Sequence, residues 1–526
     1  MNEIATLPRA TYTNTADLSP LHDLLDRDLP RFKEEMLGRH WPNVIGGVGD
    51  ASGAAIECFS PLDSSLLVGT YPTASEYTVR RAVAAARIGA AAWSALPWRR
   101  RLDGVRRLSR VIDEHRHRLA MALLFEVGKT RTEALGEAEE AVALIAHYAD
   151  QLEKNHGFVE SPWKSFDGRE TAQTLLRPYG VFGVIAPFNY PLALPVNMMA
   201  AAITAGNAVV FKPTPNGALV AGMLADAFRE ADLPAGTFNL VYGAEAGQLL
   251  VDEPGIDGIA FTGSHQTGTS ILRKFASGPF MRPVLAEMGG KNHAYVDSSA
   301  DLDIAIEGVA RSAFGMQGQR CTACSVALIH ESVYDEFMAG LIARAKIFKA
   351  GDTTRREITS GPLINEASFN RYWAAADHAA TVGKIEAGGR RLVGDALDRG
   401  YFVMPTVLSE LPVNDEIFRT EIFAPIIAVS RFADLSEALQ RGNSTNLGLT
   451  AGYYGREPSR ISKFVENVQV GVIYVNRLTG ATNGAWPGIQ SFSGWKGSGL
   501  TGKGGLGPHY LPQFMREQSR TIRELS

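Results

Sequence analysis

The chain has 526 residues, 45% of them hydrophobic, and a formal net charge of −4. That is ample for a packed core and too long for a single compact domain, and the near-balanced charge gives no electrostatic case for nucleic acid. Three cysteines, Cys58, Cys321 and Cys324, exclude a disulfide framework and favour a reducing compartment, so the protein reads as cytoplasmic.

The first stretch, MNEIATLPRATYTNTADLSP, has no basic segment followed by an apolar run, so no secretory leader is expected. Residues 1–45 are mixed and polar, with a short helix predicted near Leu21–Phe32. From about Ser75 to Asn155 apolar residues recur at helical spacing, in helices separated by Pro97 and Gly128. The basic cluster Trp98–Arg101, with Arg106 and Arg107, falls in that pattern and reads as a solvated helix face. Residues 156–178 lose the period and read as a hairpin leaving the main body.

Between Arg177 and Lys212 no residue is charged. Pro187, Pro191 and Pro195, with Asn189, Asn197 and Asn207, would leave a membrane span with unpaired backbone groups, so this run reads as buried core. VFGVIAP, NAVVFKP, FNLVYG, GIAFTG and PVLAEMGG read as strands, with helices between them. This order predicts a parallel sheet covered on both faces by helices. From about Ala300 the alternation restarts, predicting a second α/β domain. After Leu500 the chain turns Gly-rich and then basic-polar.

Ligands of open parallel sheets bind beyond the carboxyl ends of the strands. Asn189, Lys212, Gly243, Gly263 with Ser264, and Glu287 are read as following five successive strands, which predicts a rim around a dinucleotide or phosphate crevice. Gly263 and Gly268 open a helix whose N-terminus suits an anion. Glu287, between apolar residues and glycine, is either a general base with a raised pKa or a paired structural carboxylate. MQGQRCTACS carries Cys321 and Cys324. A zinc site lacks its remaining ligands, so no metal is expected, and a redox dithiol belongs at a helix start rather than a strand entrance. One nucleophilic thiol is left, which requires a base and oxyanion donors.

FNYPLALP with Asn189, GNAVVFKP with Lys212, FTGS with Gly263, LAEMGGKN with Glu287, GQRC with Cys321 and EIFAP with Glu421 resemble the signature motifs of the aldehyde dehydrogenase superfamily, in its order and at its spacing. The resemblance runs from about residue 40 to 520. It implies an α/β fold with a Rossmann-type NAD(P)-binding domain (1–156 and 179–286), a second α/β catalytic domain (287–490), and a small β oligomerisation arm with the tail (157–178 and 491–526). It implies Cys321 as nucleophile, Asn189 with the Cys321 N–H as oxyanion donors, and Glu287 as the base that activates water. Ile185, Pro187, Phe188, Lys212, Gly243, Gly247, Gly263, Ser264, Glu421 and Phe423 would line NAD or NADP. Proline at 215, three residues after Lys212, replaces the glutamate with which many NAD-using members bind the ribose, so both cofactors stay open. Partners would be a small aldehyde and copies of the chain, with no nucleic acid and no membrane. A non-catalytic member of the fold is the reading from a different class.

AEMGGKN, SADLD, RSAFGMQGQRCTACS, GPLINE and YVNRLTGA most resemble the 1-pyrroline-5-carboxylate (glutamate semialdehyde) dehydrogenase branch. There the substrate carboxylate is held by positions matching Thr322, Gly480 and Ala481. Arg320 stands where the branch usually has lysine, and the two side chains differ in geometry. TGATNGAWPGIQSFSG is about four residues longer than the branch's loop. It places Trp486 and Phe492 as substrate-binding residues and raises a bulkier or aromatic aldehyde as the alternative. In the bland reading the loop is solvated and Trp486 packs at a subunit contact.

Overall fold

The computed structural model describes residues 8–11 and 17–525. Most of the stretch read for a leader, 1–7 and 12–16, lies outside the described residues. The expected first helix spans Ser19–Met36, and the next three are Glu76–Ala95, Trp98–Val127 and Arg131–Lys154. Gly128 closes the third with φ of 69°, a conformation glycine adopts without strain. Arg101 departs from the solvated-face reading: it is buried and donates to the Leu96 carbonyl. Among the described residues no helix is long and apolar enough to cross a membrane.

The five strands read in the alternating segment are present and parallel. Their spatial order is Val284–Met288, Gly258–Gly263, Val181–Ile185, Ala208–Lys212 and Phe238–Leu240. Side chains alternate between two cores. Phe182, Val184, Val209, Phe211 and Leu240 pack with helices on one face, and Val181, Ile185, Val210 and Ile259 pack on the other. The chain runs from Val181–Ile185 to one neighbour and later returns to the opposite side at Gly258–Gly263. That switch point is where such sheets open a ligand crevice. A hairpin, Asn43–Ile45 and Val48–Asp50, extends the sheet beyond Phe238–Leu240 in antiparallel sense.

A second seven-stranded sheet runs Lys384–Ala387, Thr406–Ser409, Ile426–Phe432, Cys324–His330, Asn292–Val296, Thr450–Tyr454, Val472–Val475, parallel except for its first strand. Only Gly289, Gly290 and Lys291 separate the last strand of one sheet from Asn292 of the other. The crossover is tight. A Cβ on Gly290 would lie 2.3 Å from the Cys321 carbonyl, and one on Gly289 2.0 Å from the Glu421 carboxylate. Ser498 bridges the junction: its backbone carbonyl accepts from Met288 N–H and its hydroxyl donates to the Gly289 carbonyl.

Residues 156–178 form a hairpin, as their pattern suggests. Its long strand, Glu170–Pro178, also pairs over nine residues with Met515–Arg523. Trp163, Phe166 and Ile522 on these strands and their turn are exposed.

Candidate active site

Helix Leu302–Phe314 gives way to a strained turn in which Met316 and Gln317 hold φ of 48° and 55°. Such backbone persists only where surroundings enforce it. Here Glu133 caps its own helix by accepting from Thr130 N–H and accepts from Met316 N–H at 2.7 Å with its other oxygen. The turn delivers Cys321. The Asn292 amide donates to the carbonyls of Cys321 and Ala323 at 2.7 and 2.9 Å, and Thr482 Oγ1 donates to the Thr322 carbonyl at 2.6 Å. Three successive carbonyls, from Cys321 to Ala323, are therefore held by buried side chains.

Cys321 lies on a cavity of about 90 Å³ whose wall includes Glu287, Arg320, Thr322 and Phe492. Cys324 does not. It is fully buried at the start of its strand, in the core formed by Ala294, Val309 and Tyr454, and its thiol donates to the Val326 carbonyl. Burial pushes the Cys321 thiol up to about 12, with Glu421 and Glu287 adding to the shift and Arg320 opposing it. The resting sulfur is thus protonated, and attack requires an acceptor for its proton.

Glu287 is the fourth residue of its strand rather than the residue after it, because the parallel ladder with Gly258–Gly263 runs through it, opposite Thr262, and on to Met288; Gly499 adds an isolated bridge. Its carboxyl end stands beside Gly504, where a Cβ would come within 2.7 Å. One oxygen is buried without a partner. Burial raises its pKa to about 8, and only the Gly494 N–H works against that. Of the two readings of Glu287, the unpaired, desolvated carboxyl suits a base better than a structural ion pair.

Asn189, three per cent exposed, follows the strand Val181–Ile185, and no group among the described residues hydrogen-bonds its amide. Its loop is held from below. Lys129 pairs with buried Glu137 at 2.6 Å and stacks 3.7 Å from the Tyr190 ring, and Glu137 accepts from Leu192 and Ala193 N–H. The sequence reading missed Lys129, Glu133 and Glu137, although T-x-x-E at 130–133 is a recognisable helix start.

The crevice at the strand ends suits a dinucleotide. Lys212 ends its strand buried, with no acid partner among the described residues, and burial alone lowers it to about 8. Gly243, at φ of 112°, and Gly247, against the Lys212 stem, keep the neighbouring turn open. Gly263 ends its strand and Ser264 caps helix His265–Ala276 by accepting from Thr267 N–H, so free N–H groups of the first turn face outward. From the loop that leads into Ile426–Phe432, Glu421 accepts from Gly290 N–H at 3.0 Å, and Phe423 meets Phe188 edge to face at 5.8 Å. Ile185 is buried in the sheet, with half-buried Pro187 just beyond its end.

The remaining substrate candidates divide. Arg320 and Thr322 line the cavity, and Arg320 donates to the carbonyls of Arg311 and Ser312 at the end of helix Leu302–Phe314. Gly480, Ala481 and Trp486 are not in its wall. Ala481 is buried and donates to the Gly308 carbonyl, while Asn483, Gly484 and Ala485 reach the cavity instead. Trp486 is half-buried in a turn closed by Ile489 N–H. Tyr190, Ala193, Leu194 and Asn197 also line the cavity, at i, i+3, i+4, i+7 spacing that runs from the loop into helix Ala193–Ala205.

Residues 48–519 match the aldehyde dehydrogenase family. The 1-pyrroline-5-carboxylate dehydrogenase of Geobacillus sp. (strain WCH70) is 33% identical over 498 residues, 94% of each chain. That of Bacillus subtilis (strain 168) is 34% identical over 500 residues, again 94% of each. The crystal structure of 1-pyrroline-5-carboxylate dehydrogenase from Thermus with bound NAD is similar at a TM-score of 0.91 and 30% identity, covering 98% of this chain and 99% of that one. The chain belongs to the aldehyde dehydrogenase family.

Proposed function

We propose that this aldehyde dehydrogenase oxidises glutamate γ-semialdehyde, the open form of 1-pyrroline-5-carboxylate, to glutamate with NAD or NADP. The carrying observation is that Cys321, Glu287 and Arg320 line one cavity. Among the described residues of that wall, Arg320 is the one cation, suited to a substrate carboxylate. Relatives named for that substrate match along 94% of the chain.

Cys321 sulfur bonds to the aldehyde carbon as its proton passes to solvent water, and the carbonyl oxygen becomes an oxyanion. Asn189 and the Cys321 N–H supply donors for it. A nicotinamide dinucleotide, when bound, would supply the acceptor for the hydride of that carbon, whose loss from the Cys321 adduct leaves a thioester. Glu287 then takes a proton from water as the water oxygen bonds to the acyl carbon, the C–S bond breaks, and Cys321 is restored. Lys212 and Glu421 would hold ribose hydroxyls, with Ile185, Pro187, Phe188, Phe423, Gly243, Gly247, Gly263 and Ser264 along the dinucleotide. Pro215 puts no acid near the adenosine ribose, which leaves NAD and NADP both admissible. The sheet of 157–178 with the tail 491–526 serves as an arm onto a second copy, because its nine-residue edge and exposed Trp163, Phe166 and Ile522 need cover. On this reading 1–156 and 179–286 form the cofactor domain and 287–490 the catalytic one.

An aldehyde panel assayed separately with NAD and NADP tests the substrate. Glutamate semialdehyde should give the highest kcat/KM, and Arg320→Leu should raise its KM by about 10- to 100-fold. Preference for an aliphatic or aromatic aldehyde, indifferent to Arg320, would refute the assignment. The aromatic alternative rested on Trp486, which stands outside the cavity wall.

A further inference from the structure

Asn197 and Thr204 are the two polar residues of the helix Ala193–Ala205, and nothing in the roles above employs Asn197. It is buried on the cavity stripe with Tyr190, Ala193 and Leu194. Helix Arg131–Lys154 brings Glu140 and Leu144 to the same cavity, and Tyr148, the next residue of that stripe, is fully buried behind Asn197. The Tyr148 hydroxyl donates to Asn197 Oδ1 at 2.5 Å, and Leu506 N–H approaches the hydroxyl oxygen at 3.3 Å. The tyrosine proton is thereby aimed at the amide oxygen, which fixes how the carboxamide faces. Its NH2 has no partner among the described residues and lies on the cavity that holds Glu287 and Cys321. Gly505 keeps that face open, since a Cβ there would lie 2.8 Å from Nδ2. Glu287 adjoins the same cluster: its charge, after burial, helps push the Tyr148 and Tyr510 hydroxyls upward.

A water molecule between an amide donor and a carboxylate is oriented for attack. It accepts one N–H with one lone pair and gives one O–H to the carboxylate, leaving its second lone pair free. We propose that Asn197, oriented by Tyr148, holds the hydrolytic water against the thioester while Glu287 takes its proton. The water oxygen bonds to the acyl carbon, the proton passes to Glu287, and the C–S bond breaks with both electrons staying on Cys321 sulfur. Tyr148 is a positioning residue in this arrangement. The inference rests on the aldehyde oxidation proposed above.

The test uses the full chain with glutamate semialdehyde, propanal and NAD, following reduced cofactor in the first turnover and at steady state. Asn197→Leu should lower steady-state kcat by about 10- to 100-fold, while the first-turnover rate stays within about twofold of wild type. Hydroxylamine, which attacks the thioester without a placed water and releases a hydroxamic acid, should return Asn197→Leu to the wild-type rate measured with hydroxylamine. Tyr148→Phe should move kcat in the same direction by less, with the same rescue. A melting temperature and NAD affinity matching wild type exclude simple misfolding, and Tyr148→Phe carries the test if Asn197→Leu fails them. Equal loss of both phases, a raised KM with unchanged kcat, or no rescue by hydroxylamine would overturn the inference. A wild-type chain that reduces no cofactor with either aldehyde would instead overturn the function on which it rests.

Discussion

The two sides of the acyl cavity are built by different means. The nucleophile side is held by hydrogen bonds: Asn292 grips the carbonyls of Cys321 and Ala323, Thr482 grips that of Thr322, and Glu133 pins the strained turn at Met316. The base side is nearly bare, with Glu287 in a desolvated pocket and one oxygen unpaired. The nucleophile is thus set by geometry and the base by its surroundings. Changes on the first side should act through position, and changes on the second through protonation.

The largest expected effect is on the sulfur itself. Cys321→Ala should reduce aldehyde oxidation by about 10⁴-fold or more, to below detection, in a reduced-cofactor assay. Next is Glu287→Gln, which should lower kcat by about 10²- to 10³-fold while a first turnover of reduced cofactor survives. Loss of that first turnover as well would make Glu287 the acceptor of the Cys321 proton too. The unmutated base should betray its burial in a pH profile. Its carboxyl is raised to about 8, so it is protonated and idle below that pH. Deacylation should therefore fall by about tenfold per pH unit below the folded pKa and level off above it. A flat profile between pH 6 and 9 would contradict the desolvated base.

Smaller effects separate the two sides further. Thr482→Val removes the 2.6 Å grip on the Thr322 carbonyl and leaves that buried carbonyl unsatisfied. It should cost about 1–3 kcal/mol of stability by thermal or denaturant unfolding and slow acylation several-fold, with the pH midpoint unmoved. Cys324→Ala, in the core behind the nucleophile, should leave kcat within about twofold and cost about 1 kcal/mol for the small cavity it opens. A large loss of activity in that variant would reopen the pair as a functional unit.

Much of the first sheet was legible because its signals are local. Alternation at Val181–Ile185 and Ala208–Lys212 and the helical periods between them need only neighbouring residues, and the crevice residues ride on those strand ends. What the sequence withheld came from distance. Glu133 meets Met316 across 183 positions, and no periodicity announces such a contact. Glu287 seemed to follow its strand because PVLAEMGG ends in glycines. Its ladder with Gly258–Gly263, a strand beyond the intervening helix, carries the strand past it to Met288. The hairpin at 43–50 has strands of three residues, too short for a pattern. Trp486 looked like a pocket residue from its place in a lengthened loop, yet the loop spends Asn483, Gly484, Ala485 and Phe492 on the wall and turns Trp486 aside.

The central claim is that one cysteine of the pair carries the acyl group and Glu287 releases it. Glu287→Gln mixed with NAD and glutamate semialdehyde, quenched in acid and weighed intact, tests this directly. The account predicts one added acyl mass per chain, located by digestion on Cys321 and absent from Cys324. No adduct, or an adduct on Cys324, would contradict it.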